Sequence, residues 1–303
     1  MKISISDRGA IGFAVAGFTF WVLTDTCIKL VGQSSLPAYE VTGFLGLFIA
    51  LFMAAYALAR GELRELWPHH MGRQTLRSCL DLGTNLSVVV ALRHLSLTLF
   101  YILIFLAPIV TSAMGAVFLR EGLTWRKALA IIAGFAGVVI AVDPFGSTRQ
   151  GDWVGFAACM ACVAFFSVNM VWSRVLTQTE RPDSLTFFSG VVMGAACFGL
   201  MLWHAAPLTA RLTGGLVAMG LFCALGSLFF FVALKHTTAA TVSQYHYTQL
   251  LTGALLAYLI WHTRPTLSMV LGAVLIVASG LYIAVTAPRS TMPAMSAPGV
   301  APD

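Results

Sequence analysis

The chain has 303 residues, 58% hydrophobic and only 10% charged, with a net charge of +6 at pH 7 and a mean hydropathy of +0.86. Soluble domains carry about a quarter of their residues as charges, so this composition excludes a water-soluble globular protein. It describes an integral membrane protein with no room for a soluble catalytic domain.

Ten apolar segments reach the ~20 residues a spanning helix needs: 9–31, 38–59, 76–95, 98–119, 125–143, 153–175, 184–203, 214–235, 239–261 and 266–286. Their runs are continuous rather than alternating every second residue, which selects helices over barrel strands. The expected fold is an all-α integral membrane protein of ten transmembrane helices, arranged as two inverted five-helix repeats. The repeats are 1–143 and 153–286, joined by a connection at 144–152 and followed by a tail at 287–303. The tail has four prolines and no apolar period, and is expected to be disordered. Lys2 and Arg8 precede the first segment as they would in a signal peptide. No small-x-small cleavage site follows, and Asp25 and Lys29 continue the same helix, so the segment reads as a retained span. Thirteen of the 18 lysines and arginines fall on one side of these spans. By the positive-inside rule this places both termini in the cytoplasm, and the basic excess needs no nucleic acid.

Ionisable groups inside a span are costly and by default face the bundle interior or a wet cavity. In the first span, Trp21, Asp25 and Lys29 lie at i, i+4 and i+8 and share one helical face. Asp25 and Lys29 can also neutralise each other as an intrahelical pair, with Lys29 snorkelling outward. Arg77, Asp81 and Asn85 repeat the spacing in the third span, where Arg77 reads as an anchor at the cytoplasmic interface. Pro108 can break the fourth span and free backbone carbonyls, and Glu121 follows it as a loop or gate residue. In the sixth span Asn169 stands 144 residues after Asp25, on a face shared with Trp172. The ninth span is the richest in polar groups: Thr241, Tyr245, Thr248 and Thr252 follow helical spacing, and His246, Tyr247 and Gln249 widen the arc. The candidate substrate-binding residues are thus Trp21, Asp25, Lys29, Asp81, Asn85, Asn169, Trp172, Tyr245, His246, Tyr247 and Gln249. For Trp172 and His246, ordinary core packing is the competing reading.

The six cysteines all fall in apolar segments. Cys159 and Cys162 form a CxxC, but its neighbours are apolar and no second pair completes a zinc set, so they read as packing residues. Neither a metal nor a cofactor is expected.

The two halves echo each other at an offset of 142: Ala91-Leu92-Arg93-His94 returns as Ala233-Leu234-Lys235-His236, and Thr124 and Leu129 as Thr266 and Leu271. Five spans per repeat reverse the direction of the second half, a layout shared by many secondary transporters.

APIVTSAMGAVFLREGLTWRKALAIIAGFAGVVIAV (107–142) resembles the end of an EamA domain through Pro108, Glu121, Leu123, Thr124, Gly134 and Gly137. Residues 245–285 resemble the same domain through Pro265, Gly272 and Gly280. The chain is thereby similar throughout to two EamA domains of the drug/metabolite transporter superfamily. TDTCIKLVG from Thr24, YEV from Tyr39 and ATVSQYHYTQLL from Ala240 resemble the branch of S-adenosylmethionine uptake carriers. Two positions depart from the pattern: Thr263 stands where an acidic residue follows the ninth span, and Leu45 where the second span often has arginine. The resemblance implies a central cavity lined by spans 1, 3, 4, 6, 8 and 9, with spans 5 and 10 peripheral.

The functional expectation is a secondary transporter of a small zwitterionic or cationic organic metabolite with an apolar or aromatic part. It would work in a bacterial inner membrane. Asp81 and His246 are candidate proton carriers. No GxxxxGK[ST] motif supplies ATP, and no HxxxxD, HExxH or GxSxG motif suggests catalysis. A membrane-embedded enzyme or a sensor without transport remains the alternative, as does, within transport, an exporter of amino acids or drugs. The expected partners are the solute and the lipid bilayer, with a homodimer left open.

Overall fold

The computed structural model describes residues 7–34, 36–107, 109–111, 125–142, 152–201, 208–236, 242 and 245–286. Among them are ten α-helices and no strand: α1 (Asp7–Gly32), α2 (Ala38–Ala59), α3 (Met71–His94), α4 (Leu97–Ile104), α5 (Trp125–Val142), α6 (Trp153–Leu176), α7 (Pro182–Met201), α8 (Ala210–His236), α9 (Thr248–Trp261) and α10 (Leu267–Thr286). A short 3-10 turn, Leu63–Leu66, lies between α2 and α3. Pro108, Glu121, most of the connection before Asp152, and the tail lie outside the described residues.

Five helices, α1, α2, α6, α7 and α8, are long and apolar enough to cross a membrane by themselves. α3 has the length but also a polar sequence. It begins at Met71, five residues before the expected start, because its first turns (Met-Gly-Arg-Gln-Thr) carry no hydropathy signal. Local capping explains other ends. Ser96 opens α4 by accepting from Leu99 N at 3.2 Å, and Asp152 opens α6 by accepting from Gly155 N at 2.9 Å. Such caps satisfy amides that have no partner within the helix.

The ninth span is not one continuous helix. Tyr245 is helical, the chain turns at His246 and Tyr247, and α9 begins at Thr248. Thr248 Oγ1 donates to Tyr245 O at 2.7 Å, a side-chain bond that competes with helical pairing. The turn interrupts the polar face expected from Thr241 to Thr252 between Tyr245 and Thr248, and Thr241 is outside the described residues.

The helices pack mainly in pairs: α1 with α8, α2 with α7, α3 with α6, α4 with α9, and α5 with α10. α1 and α8 run antiparallel, since Gly17 lies against Gly226 while Val31 lies against Gly215. α3 and α6 are antiparallel too: His94 at the end of α3 meets Asp152 at the start of α6 at 2.7 Å, and Trp172 near the end of α6 donates to Arg73 O at 3.1 Å. Small residues let such helices approach backbone to backbone where lipid offers no hydrophobic drive. At the α2–α7 crossing, a methyl group on Gly46 would lie 2.5 Å from Gly194 N and 2.7 Å from Gly190 O.

α4 is buried along its whole length, which is why its sequence is apolar all round. α5 and α10 lie at the periphery and expose Ile132 and Val274. Arg181, just before α7, bonds Glu62 at 2.6 Å and Asp183 at 2.8 Å and also pairs with Glu65, tying the α2–α3 connection to the start of α7. Asp183 and Glu62 hold the Arg181 guanidinium above its ordinary pKa. Glu180, almost wholly buried, accepts from His69 N at 3.0 Å and His70 N at 2.8 Å in the same tie.

Candidate functional site

A cavity of about 90 Å³ lies between the α1–α8 pair and the α3–α6 pair. α4 and the segment around His246 close it laterally. Among the described residues that line it, the carboxylates are Asp25 and Asp81, and there is no lysine or arginine. Asp25 Oδ2 accepts from Tyr101 Oη at 2.8 Å, and among the described residues no basic side chain forms an ion pair with it. Asp81 Oδ1 accepts from Asn169 Nδ2 at 3.2 Å, and Asn169 Oδ1 accepts from Ser173 Oγ at 3.2 Å. Asn85 Nδ2 donates to Asp81 O within α3 at 2.9 Å.

Aromatic rings fill much of the remaining wall. Trp21 donates to Ser227 Oγ at 3.3 Å and sits 4.8 Å from the Phe230 ring. The His246 ring stacks on Phe166 at 5.4 Å and lies 4.9 Å from Phe18. Gln249 Nε2 donates to Phe18 O at 3.1 Å, tying α9 to α1. Rings of this kind present rigid, polarisable faces to a flat or cationic solute.

Of the residues singled out by spacing, Trp21, Asp25, Asp81, Asn85, Asn169, His246 and Gln249 line this cavity. Four others do not. Lys29 Nζ donates to Leu92 O at 2.9 Å and Leu95 O at 2.6 Å, 5.8 Å from the Trp261 ring. The intrahelical Asp25–Lys29 pair is therefore absent, because each group has a better partner on another helix. Trp172 is held by Arg73 O at the end of the molecule. Tyr247 packs on Phe105 at 5.2 Å, with its hydroxyl against Gly280 and without a hydrogen-bond partner among the described residues. Tyr245 packs against the cluster containing Phe18, Phe230 and Met170. Among the described residues α5 and α10 contribute nothing to the lining, while α2 and α7, which are not among the spans expected to line it, supply Ile49, Thr186 and Ser189.

One residue of the site region is not singled out by the sequence, and another lies deeper than the sequence implies. Tyr101 lies in the run Leu-Thr-Leu-Phe-Tyr-Ile-Leu-Ile, which looks uniformly apolar; the clue was the hydroxyl, which needs a partner once buried. Arg77, expected at the interface, is fully buried in the second turn of α3. It donates to Leu185 O at 3.0 Å and to Ser189 Oγ, and lies 4.9 Å from the Phe231 ring. Its guanidinium also stands 3.9 Å from Asp81 Oδ2. The longer α3 explains the difference, since it buries a position that a start at residue 76 would leave at the membrane surface.

The EamA-like transporter family model matches this chain twice, over residues 8–142 and 153–285. The chain belongs to the EamA-like transporter family. Family membership and its apolar helices make it a multi-pass membrane protein, and the family is one of transporters rather than enzymes. Among similar EamA-like relatives is an S-adenosylmethionine uptake transporter of Rickettsia bellii. It is 25% identical over 267 residues, 86% of this chain and 87% of the relative. A riboflavin transporter of Rhizobium johnstonii is 27% identical over 283 residues, 91% of this chain and 90% of its own length. The pseudopaline exporter CntI of Pseudomonas aeruginosa is 24% identical over 294 residues, 94% and 99% of the two chains. A solved crystal structure with 16% identity superposes with a TM-score of 0.66 over 91% of this EamA chain and 96% of its own, a likeness of fold alone.

Proposed function

We propose that the protein is a secondary carrier that moves a small organic cation or zwitterion with a flat aromatic part across the bacterial inner membrane by alternating access. One observation carries this reading: the cavity sets the Asp25 carboxylate among aromatic rings, and among the described residues no basic side chain pairs with it, whereas Asp81 has Arg77 nearby. A buried carboxylate without a cation is unfavourable, and a cationic solute stacked on Trp21 or Phe166 would supply the missing charge. The relatives named for S-adenosylmethionine and riboflavin support the flat aromatic part of the solute, since both molecules join a flat heteroaromatic ring to a hydrogen-bonding chain. The relatives are named for both uptake and export, so direction is left to measurement.

The cavity volume of about 90 Å³ is small beside the ~300–1,000 Å³ of ordinary ligand pockets. Admitting such a solute requires the helices to part, as alternating access demands. The inverted five-helix repeat is part of the same proposal. It is supported by the helix pairing, which is unchanged when each helix is exchanged for the one five places away: α1–α8 becomes α6–α3, and the other pairs map onto themselves. Both termini are assigned to the cytoplasm on the basis of the lysine and arginine bias.

The test is a thermal-shift screen of purified protein against S-adenosylmethionine, riboflavin, nucleosides and aromatic amines, followed by uptake of each hit into proteoliposomes. The expected result is a stabilising hit that is accumulated or exchanged, and that Asp25→Asn weakens. Binding without movement across the bilayer would favour a sensor, and hits confined to anions would refute the assigned solute class.

A further inference from the structure

Two basic side chains occupy matching places at opposite ends of the molecule. Lys29, in the last turn of α1, donates to Leu92 O and Leu95 O at the C-terminus of α3. Arg174, in the last turn of α6, donates to Leu234 O in the last turn of α8. Leu92 and Leu234 hold the same place in the repeated Ala-Leu-Arg-His and Ala-Leu-Lys-His stretches. The last carbonyls of a helix have no partner within it and carry the negative end of its dipole, so a cation there forms a favourable tie.

The ties lie at opposite ends because α3 and α6 are antiparallel. α1 ends beside the end of α3, and α6 ends beside the start of α3. Each tie also joins the two walls of the cavity. α1 packs broadly on α8 to form one wall, and α3 on α6 to form the other, while α1 meets α3 narrowly and α6 meets α8 least of all. Lys29 reaches from the first wall to the second at one end; Arg174 reaches from the second to the first at the other. His94–Asp152 and Trp172–Arg73 O, by contrast, lie within the α3–α6 wall and need not break when the walls separate.

We propose that Lys29 and Arg174 are the two gate residues of the transport cycle. Rocking one wall against the other releases the tie at the end that opens and keeps the tie at the end that stays shut. This rests on the reading of the protein as an alternating-access carrier. Both ties are made in this structure.

Cys162 and Cys223 line the cavity and are buried, so they serve as native reporters of water access. The full-length protein in sided membrane vesicles is treated with a membrane-impermeant maleimide from one face or the other, and peptide mass spectrometry assigns modification to each cysteine. Lys29→Met is expected to raise labelling of Cys162 and Cys223 several-fold from the face where α1 ends. Arg174→Met should raise it from the opposite face, and Lys29→Arg should return wild-type labelling. Where a Met variant fails to fold, Lys29→Gln or Arg174→Gln carries the same expectation. Labelling that matches wild type, or rises equally from both faces, would overturn the proposal and leave the two residues as plain helix caps. Labelling requires no solute: the expected sidedness without transport upholds the gates and counts against the carrier, whereas transport with symmetric labelling counts against the gates alone.

Discussion

The Tyr101 hydroxyl donates to the Asp25 carboxylate at 2.8 Å, joining α4 to α1 across 76 positions of chain. Tyr101→Phe removes this donor and keeps the ring. A buried acceptor left unpaired costs about 1–3 kcal/mol, so the thermal midpoint in detergent should fall. Asp25→Asn, which can still accept from Tyr101, should unfold near the wild-type temperature. It should bind a cationic hit from the solute screen about tenfold more weakly, roughly 1.4 kcal/mol. An unchanged midpoint in Tyr101→Phe would show that the hydroxyl contributes nothing to folding.

Arg77 is held at once by Leu185 O, Ser189 Oγ and the nearby Asp81 carboxylate. Removing one member of a buried charged set costs about 3–5 kcal/mol, and Arg77→Met should unfold at clearly lower denaturant. Arg77→Lys should recover only part of the loss, because an ammonium lacks the planar face that the guanidinium turns to the Phe231 ring at 4.9 Å. Adding Asp81→Asn to Arg77→Met should cost less than the two single losses together. Strict additivity by denaturant titration would mean that the two residues are uncoupled.

The α2–α7 crossing admits no side chain at Gly46. Gly46→Ala drives a methyl group into backbone atoms of Gly190 and Gly194, and overpacking of this kind costs about 1–3 kcal/mol. Gly12→Ala, where nothing lies within 4 Å, is the matched control. Gly46→Ala should lower the yield of monodisperse protein in size-exclusion chromatography, and Gly12→Ala should not.

Asp152 caps α6, and its carboxyl is held below the ordinary carboxylate pKa chiefly by Gly155 N–H and then by His94. A group whose pKa is depressed on folding contributes stability above its unfolded value, about 3.9, and loses it as pH falls through the lower folded value. The advantage in thermal midpoint of wild type over Asp152→Ala should therefore be full at neutral pH and shrink only below about pH 4. An advantage that is unchanged in strong acid would exclude the charged cap as its source.

The sequence located the apolar segments well, because hydropathy is a local property. It failed where helices begin with polar turns, as α3 does at Met71, and where a span breaks, as at His246 and Tyr247. Asp25, Asp81 and Asn169 could be placed toward the interior because a charge or amide in mid-span has few tolerable surroundings. Lys29 was misread for a different reason: its partners are backbone carbonyls 63 and 66 residues away, and carbonyls carry no residue signature. Tyr101 was hidden because a single hydroxyl in an apolar run looks like packing until its partner is seen.

Four glycines of the family-like stretches, Gly134, Gly137, Gly272 and Gly280, fall on α5 and α10. These helices pack on each other through Gly137 and Gly272, and no described side chain of either lines the cavity. These glycines are thus silent about the cargo. A solute preference has to be read from the lining residues of α1, α3, α4, α6, α8 and α9 instead.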